Sequence, residues 1–227
     1  MNIGKDISNL IRENLDRILA LRAERVLKED DSYVTKGDLL CQDLIMEYVR
    51  ELPEKFEIIS EEIDLASFSY DEGKNYIVID PIDGTENFTS GLKEWGVSVA
   101  IYKQGKHHES TIMLPELNVY VTTGDPLPRH HSRIQGLSSS ISKELIASLK
   151  EGQEYRIMGC CVYNIYNAIV GSYEFFEHRG AKTWDILAGL NLALEHGADV
   201  FVDGERYHGE FLPPGRKYPF KIHQKHV

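Results

Sequence analysis

The sequence predicts an α/β fold in which helices and strands form alternating layers. Two observations support this: helical periodicity and short apolar runs alternate along the chain, and 42% of its 227 residues are hydrophobic. A chain of this size and composition can bury a substantial core. We therefore expect one domain over residues 1–227, with pseudo-lobes at 1–125 and 126–227 that meet at the turn-rich segment 126–132.

The first 50 residues predict two helices, because apolar side chains recur three and four positions apart. The first helix is marked by Ile7, Leu10, Ile11, Ile18 and Leu19, and the second by Leu40, Leu44, Ile45 and Val49. Asp38 stands at the start of the second helix, where a carboxylate can cap free backbone amides.

The rest of the chain predicts a mixture of strands and helices. Apolar runs bounded by turn residues indicate strands at 76–79, 96–102, 110–114, 118–122 and 173–177. Helical spacing indicates helices near 142–150, 162–170 and 186–196.

The segment Asp80-Pro81-Ile82-Asp83-Gly84-Thr85 directly follows the apolar run 76–79, and we expect it to form a turn. Pro81 would stiffen the exit from the strand, and Gly84 permits torsions that a β-carbon penalises. Both carboxylates could then converge on one hard cation, which prefers oxygen ligands. Glu61, Glu62 and Asp185 also stand at element ends, so the sequence predicts a site for more than one metal ion.

Three motifs together resemble the inositol monophosphatase family. They are Ser60-Glu61-Glu62, Asp80-Pro81-Ile82-Asp83-Gly84-Thr85-Glu86-Asn87-Phe88 and Trp184-Asp185-Ile186-Leu187-Ala188-Gly189. The resemblance extends over about residues 5–205 and implies a layered α-β-α-β-α sandwich. Residues 124–128 replace a glycine-rich segment of the family, so we expect a shortened version of that fold, with a metal-binding N-terminal lobe and a C-terminal substrate lobe.

The resemblance also implies a magnesium-dependent phosphate monoester hydrolase that uses two to three Mg²⁺ ions. Glu61, Asp80 and the Ile82 carbonyl would hold the first ion, and Asp80, Asp83 and Asp185 the second. A third, weaker ion would lie near Glu61, which thereby joins the catalytic residues. Thr85 and Asp38 would orient and deprotonate the attacking water, although capping alone would also explain Asp38.

The substrate is predicted only as a small phosphorylated polyol, sugar or nucleotide. By resemblance, Gly84 and Thr85 would meet the phosphate, and further substrate contacts would come from Gly159, Cys160, Cys161, Glu177 and Arg179. A thiol is a weak hydrogen-bond donor where the family has a hydroxyl, so polyol recognition is weakened. Arg179 would instead favour a second phosphate, as in a 3′(2′),5′-bisphosphate nucleotidase or a fructose-1,6-bisphosphatase.

The net charge of −11 argues against general binding to nucleic acids or anionic membranes. The N-terminus has no basic region followed by an apolar core, so we expect a cytoplasmic protein. The resemblance implies lithium sensitivity and a homodimer. A non-enzymatic alternative is a catalytically weak relative that binds another protein through the same scaffold.

Overall fold

The structure is a computed structural model that describes residues 2–29, 31–139 and 141–224. The described residues form the α-helices α1 (Ile3–Glu13), α2 (Leu15–Ala20), α3 (Lys36–Glu51), α4 (Thr85–Thr89), α5 (Lys143–Ser148), α6 (Cys161–Ile169) and α7 (Thr183–Glu195). Their strands are β1 (Arg25–Leu27), β2 (Tyr33–Thr35), β3 (Glu57–Ser60), β4 (Asn75–Asp83), β5 (Gly96–Lys103), β6 (Lys106–Leu114), β7 (Val119–Thr122), β8 (Ile134–Leu137), β9 (Glu154–Arg156), β10 (Phe175–Ala181), β11 (Asp199–Val202), β12 (Glu205–Arg206) and β13 (Tyr218–His223).

Two mixed sheets organise the chain. The first has the strand order β3-β4-β5-β6-β7, with β3 parallel to β4 and the other pairs antiparallel. The second has the order β12-β11-β13-β10-β8-β9, in which β10, β8 and β9 are parallel. Strands β1 and β2 form a separate antiparallel hairpin before α3.

Helices separate and flank the sheets. Helices α6 and α7 contact strands of both sheets, and α1 and α3 cover the other face of the first sheet. Strand β4 is consequently buried on both faces: Tyr76 and Val78 point into the core between the sheets, while Ile77 and Ile79 point toward α1 and α3. The expected outermost helical layer is reduced to α5, which has six residues and no buried side chain.

The predicted α/β layering is confirmed, and most predicted elements are present. Three differ. The first N-terminal helix is divided at Asn14, which ends α1 and precedes α2. The strand expected at 173–177 instead covers Phe175–Ala181, where it pairs with β8 and β13. The segment Asp80–Asp83 is part of β4 rather than a turn after it.

The two sheets use separate parts of the chain, residues 57–122 and 134–223. The segment 126–132 between them has no helix or strand. The division into pseudo-lobes stays a prediction, because the sheets share the packed layer of α6 and α7. Within the described ranges, no helix is both long and apolar enough to cross a membrane.

The packing of α6 against α7 depends on Gly189. A β-carbon added at Gly189 would lie 2.6 Å from Cγ2 of Ile165. At an exposed helix position, replacing Gly by Ala normally raises the stability of the helix by up to about 1 kcal/mol. At this position we expect Gly189→Ala to lower the free energy of unfolding by about 1–3 kcal/mol, because the helices must separate.

Urea unfolding would measure that effect. Gly73→Ala is the matched control, because the nearest atom to its added β-carbon is Oδ1 of Asp71 at 3.3 Å in an exposed turn. Equal stability of Gly189→Ala and the wild type would show that α6 and α7 can accommodate the added methyl group without separating.

Candidate metal centre

The two aspartates of β4 lie on one face because the strand contains a bulge. Asp80 pairs with Ser98 of β5 and Asp83 pairs with Gly96, so Pro81 and Ile82 together stand opposite one residue. Residues three apart in a regular strand would point to opposite faces, and one extra residue restores them to the same face. Pro81 suits this position because it has no amide hydrogen to donate to the ladder.

Asp80 is almost completely buried, with 1% of its surface exposed. Neither oxygen has a hydrogen-bond donor among the described residues. Burial raises the pKa of Asp80 well above its usual range, and the negative charges of Glu61, Asp83 and Asp185 raise it further. A carboxylate in this position is therefore stable only with a proton or a cation beside it.

Glu61 follows β3 and faces the same group of carboxyls. Burial raises its pKa to about 7, and Asp185 and Glu62 add to the shift. The Lys28 ammonium opposes it, lying 3.3 Å from Oε1 of Glu61 and 2.5 Å from Oε1 of Glu62. Lys28 follows the exposed strand β1, so the hairpin places the positive charge of a lysine beside Glu61 and Glu62.

Asp83 is fixed by the start of α6. Its Oδ2 accepts hydrogen bonds from the Val162 amide at 2.5 Å and from the Cys160 thiol at 3.0 Å. Burial raises the pKa of Asp83 to about 6, although these two donors oppose the shift. Burial also raises the pKa values of Cys160 and Cys161, so both thiols stay protonated. The Cys160 thiol therefore orients Asp83.

Asp185 lies in the first turn of α7, where its Oδ2 accepts the Lys182 amide at 2.8 Å. Burial raises its pKa to about 7, with Asp83 as a further cause. Asp185 and Asp80 are close enough for a shared proton to join them by a hydrogen bond. The fold therefore brings α7 to the bulge of β4, about a hundred residues earlier in the chain.

Asp38 caps α3 and also contacts Thr85, while its role toward an attacking water stays a prediction. Its Oδ2 accepts the Thr35 amide at 2.8 Å and also the Thr35 hydroxyl, which caps α3. Its Oδ1 accepts the Thr85 hydroxyl at 3.3 Å, and that hydroxyl also lies 3.0 Å from the Ile82 carbonyl oxygen. Burial raises the pKa of Asp38 to about 6. Asp38 and Thr85 thus form a connected polar pair beside the carboxyls.

We call Glu61, Asp80, Asp83 and Asp185 the carboxyl cluster. Within the part of the chain that the structure describes, no three His, Cys, Asp or Glu side chains are already arranged to hold a metal ion. The chemistry of the cluster nevertheless fits a hard divalent cation. Its candidate metal ligands are all oxygens, no described residue donates a hydrogen bond to Asp80, and the four carboxyls oppose one another's ionisation.

The glycines beside the cluster allow close packing. Gly84 has a φ of 80°, and a β-carbon there would lie 2.9 Å from Cβ of Cys160. Gly159 also has a positive φ, and Asn87 joins its segment to α4 by donating to the Met158 carbonyl at 2.6 Å. These contacts bring Gly84, Thr85 and residues 159–161 next to Asp83, while their phosphate and substrate contacts stay predictions.

Glu177 and Arg179 have other partners. Glu177 lies 3.7 Å from Lys221 on the neighbouring strand β13, and Arg179 lies 3.7 Å from Glu144 of α5. Both side chains are about half exposed on the second sheet. The structure places each of them in an ion pair on the second sheet, and their substrate contacts stay predictions.

Sequence reasoning missed two lysines near the cluster. Lys28 is isolated in an exposed hairpin, and only the folded contact with Glu61 and Glu62 reveals it. Lys182 could have been noticed, because it stands two residues before Trp184 and three before Asp185.

Comparison with known proteins agrees with this geometry. The inositol monophosphatase family matches residues 1–125, which is more than half of the chain. The chain belongs to this family. It is a family of phosphomonoesterases.

Curated relatives with similar sequences carry different functional names, as two examples show. "Nus factor SuhB" of Pasteurella multocida is 27% identical over 237 residues, covering 90% of this chain and 84% of the relative. "Fructose-1,6-bisphosphatase/inositol-1-monophosphatase" of Thermotoga maritima is 27% identical over 184 residues, covering 74% and 70%.

Solved structures share the fold over nearly the whole chain. A Ca-bound inositol monophosphatase family protein from Staphylococcus aureus has a TM-score of 0.79 at 18% identity, covering 98% of this chain and 90% of its own. An inositol monophosphatase/NADP phosphatase complexed with Mg²⁺ and phosphate has a TM-score of 0.75 at 20% identity, covering 97% and 91%.

Proposed function

We propose that this protein is a magnesium-dependent phosphate monoester hydrolase. The observation that supports this most directly is the state of Asp80, an enclosed carboxyl that receives no hydrogen bond from the described part of the chain and has three other carboxyls beside it. Buried like charges are costly, and a bound cation is the simplest way to offset them. The relatives' names and the family are consistent with this use of the cluster.

Glu61, Asp80, Asp83, Asp185 and the Ile82 carbonyl would hold the magnesium ions. Bound magnesium would stabilise charge on the phosphoryl group and make a water molecule more acidic. The Cys160 thiol and the Val162 amide keep Asp83 pointed toward the cluster. Lys28 would release Glu61 as the site fills, because its ammonium competes for the same oxygen.

Asp38 and Thr85 would handle the proton of the attacking water. The Thr85 hydroxyl can donate its one hydrogen to Asp38 or to the Ile82 carbonyl, so its oxygen lone pairs are free to accept a hydrogen bond from water. A pKa of about 6 makes Asp38 a suitable general base near neutral pH, because it is ionised yet still basic. Thr85 then orients the water and Asp38 receives its proton.

Phosphate release would test the proposal. The panel contains inositol 1-phosphate, fructose 1,6-bisphosphate, 3′-phosphoadenosine 5′-phosphate and NADP, each with Mg²⁺ or with EDTA. We expect Mg²⁺-dependent turnover of at least one compound, and we expect Glu61→Gln to lower it by roughly 10²-fold or more, equivalent to about 3 kcal/mol of transition-state stabilisation.

Glu57→Gln is the matched control. Glu57 lies on the same strand β3, is exposed and pairs with Lys74. It should keep wild-type turnover. Mg²⁺-independent activity, or equal loss in both variants, would contradict the proposed role of Glu61.

A second candidate is a binding protein that keeps the family scaffold without hydrolysis. It is favoured by Lys28, which already offers Glu61 a positive charge, and by a cluster that is not arranged around a metal ion among the described residues. Absence of turnover with every compound, together with a melting temperature that Mg²⁺ does not change, would favour this candidate.

A further inference from the structure

A cleft of about 770 Å³ lies away from the carboxyl cluster, beside the last turns of α7. Its polar lining comes from three parts of the chain: Lys106 of β6, Asn191 and Glu195 of α7, and the segment after β12 with Gly209 and Glu210. Asp185 stands in the first turn of the same helix, and Glu195 is its last residue, so the helix rises about 15 Å between them. The cleft is therefore separate from the candidate metal centre.

Asn191 presents to this cleft an amide oxygen that has no hydrogen-bond donor. The residue is only 4% exposed, and its Nδ2 donates to the Leu187 carbonyl at 2.7 Å and to the Tyr102 hydroxyl at 2.8 Å. A carbonyl oxygen can only accept, so the nitrogen must face Leu187 and Oδ1 must face the other way. No residue that the structure describes donates to this Oδ1. A nearly buried acceptor of this kind costs free energy unless a ligand or a water molecule donates to it.

Gly209 keeps the space beside this oxygen open. Its φ is 98°, and a β-carbon there would lie 3.2 Å from Oδ1 of Asn191. Two buried tyrosines hold the segment in place, because the Tyr102 hydroxyl donates to the Gly209 carbonyl at 3.2 Å and the Tyr207 hydroxyl donates to the Glu210 carbonyl at 2.8 Å. The same Tyr102 hydroxyl accepts from Asn191. The amide and the segment that faces it are thus fixed in one network before any ligand binds.

Two carboxylates of the cleft are also held in position. Oε1 of Glu195 accepts the Gly124 amide at 2.6 Å, and Oε2 of Glu210 accepts the His208 amide at 2.8 Å. Neither carboxylate forms an ion pair with a lysine or arginine of the described ranges, and Lys106 of the same cleft is not paired with them. Each keeps a second oxygen that can accept a hydrogen bond.

We propose that this cleft binds a small organic cation that carries a primary ammonium group. Asn191 and Glu195 are one turn apart on the same face of α7, so one ammonium can donate to the amide oxygen and to the carboxylate. Glu210 would receive a second positive charge. Among the residues that the structure describes, no three acidic or histidine side chains are arranged to hold a metal ion, which favours an organic cation. This site does not depend on the proposed hydrolase function.

Isothermal titration calorimetry with 1,4-diaminobutane would test the site, with excess Mg²⁺ to keep the amine off the carboxyl cluster. We expect saturable binding, and 1,4-butanediol, which has the same length without the charges, should give none. Glu210→Gln should weaken diamine binding by about tenfold to a hundredfold, the range for losing a hydrogen bond to a charged group. Lys106→Met should strengthen it, because a like charge is removed. Glu205→Gln is the matched control, since Glu205 is an exposed glutamate on β12 outside the cleft.

Gly209→Ala tests the amide oxygen without changing any charge. The added methyl group would cover Oδ1 of Asn191 and should weaken diamine binding by about tenfold or more. Gly204→Ala is its matched control, because Gly204 has a similar φ of 83° and its added β-carbon would meet nothing within 4 Å. Thermal melting would establish that both variants fold, and Glu210→Gln decides if Gly209→Ala does not. Absence of diamine binding, or binding that Glu210→Gln leaves unchanged, would overturn the site.

Discussion

Replacing Asp80 by asparagine is expected to abolish Mg²⁺-dependent phosphate release while making the metal-free protein more stable. The loss of turnover should reach roughly 10³-fold if Asp80 holds both magnesium ions as proposed, because such a ligand carries several kcal/mol of transition-state stabilisation. The gain in stability follows from burial. Asp80 is enclosed and has no protein donor among the described residues, so its ionised form opposes folding.

Asparagine suits the same space and changes the interaction with Asp185. The new side-chain amide would donate a hydrogen bond to Asp185, whereas Asp80 can share one with Asp185 only when one of the two carboxyls is protonated. We expect the free energy of unfolding in EDTA to rise by about 1–3 kcal/mol at about pH 7.5. For a chain of this length, that corresponds to an increase in melting temperature of several degrees.

Thermal melting with EDTA or with Mg²⁺ would measure both effects. The wild type should gain about 2.7 kcal/mol when Mg²⁺ is present at a hundred times its dissociation constant, and Asp80→Asn should gain far less. Asp43→Asn is the matched control because Asp43 is an exposed aspartate on α3. If Asp80→Asn melts at a lower temperature than the wild type in EDTA, the protein itself already offsets the cost of burying the Asp80 carboxyl.

The sequence was enough to predict which residue types form the candidate site. It was not enough to predict how those residues are arranged in space. The apolar run before Asp80 identifies a buried strand, and the acidic motifs resemble those of a known family. The β-bulge that places Asp80 and Asp83 on one face depends on the pairing of β4 with β5, which no local pattern specifies.

The same limit applies to contacts between distant segments. The Cys160 thiol donates a hydrogen bond to Asp83, which lies 77 residues earlier in the chain. The sequence around Cys160 does not predict that contact, although a thiol at this position is itself unusual. Lys28 reaches Glu61 and Glu62 from an exposed hairpin with no helical or strand periodicity around it. Side-chain partners at such separations are decided by how the two sheets and the α6–α7 layer pack, so they follow from the fold rather than from a motif.

Between about pH 6.5 and 8.5, the metal-free protein is expected to lose stability as the pH rises. The carboxyls of Glu61 and Asp185 have folded-state pKa values of about 7, above the 4.5 and 3.8 of unfolded Glu and Asp. The folded protein therefore binds more protons than the unfolded chain in this range. Stability that is present at low pH is lost as each group ionises through its folded-state pKa.

Other titrating groups act more weakly over this pH range. His107 and His178 have pKa values lowered to about 4 by burial, and burial also lowers the pKa of His196, so their opposition to folding fades as the pH rises above the unfolded histidine pKa of 6.5. The raised pKa values of the buried cysteines and tyrosines affect stability only at more alkaline pH. We expect a decrease of about 1–3 kcal/mol across the range, since one pKa unit is equivalent to about 1.4 kcal/mol.

Magnesium should reverse the sign of this dependence. A cation binds the ionised carboxylates, so Mg²⁺ affinity and the stability that it confers both increase as protons leave the cluster. Urea unfolding at half-unit pH steps, in EDTA and in Mg²⁺, would therefore give opposite slopes for the wild type. Asp185→Asn should flatten both slopes, and a wild type whose EDTA stability is level or rising above about pH 6.5 would mean that the cluster does not retain protons in the folded state.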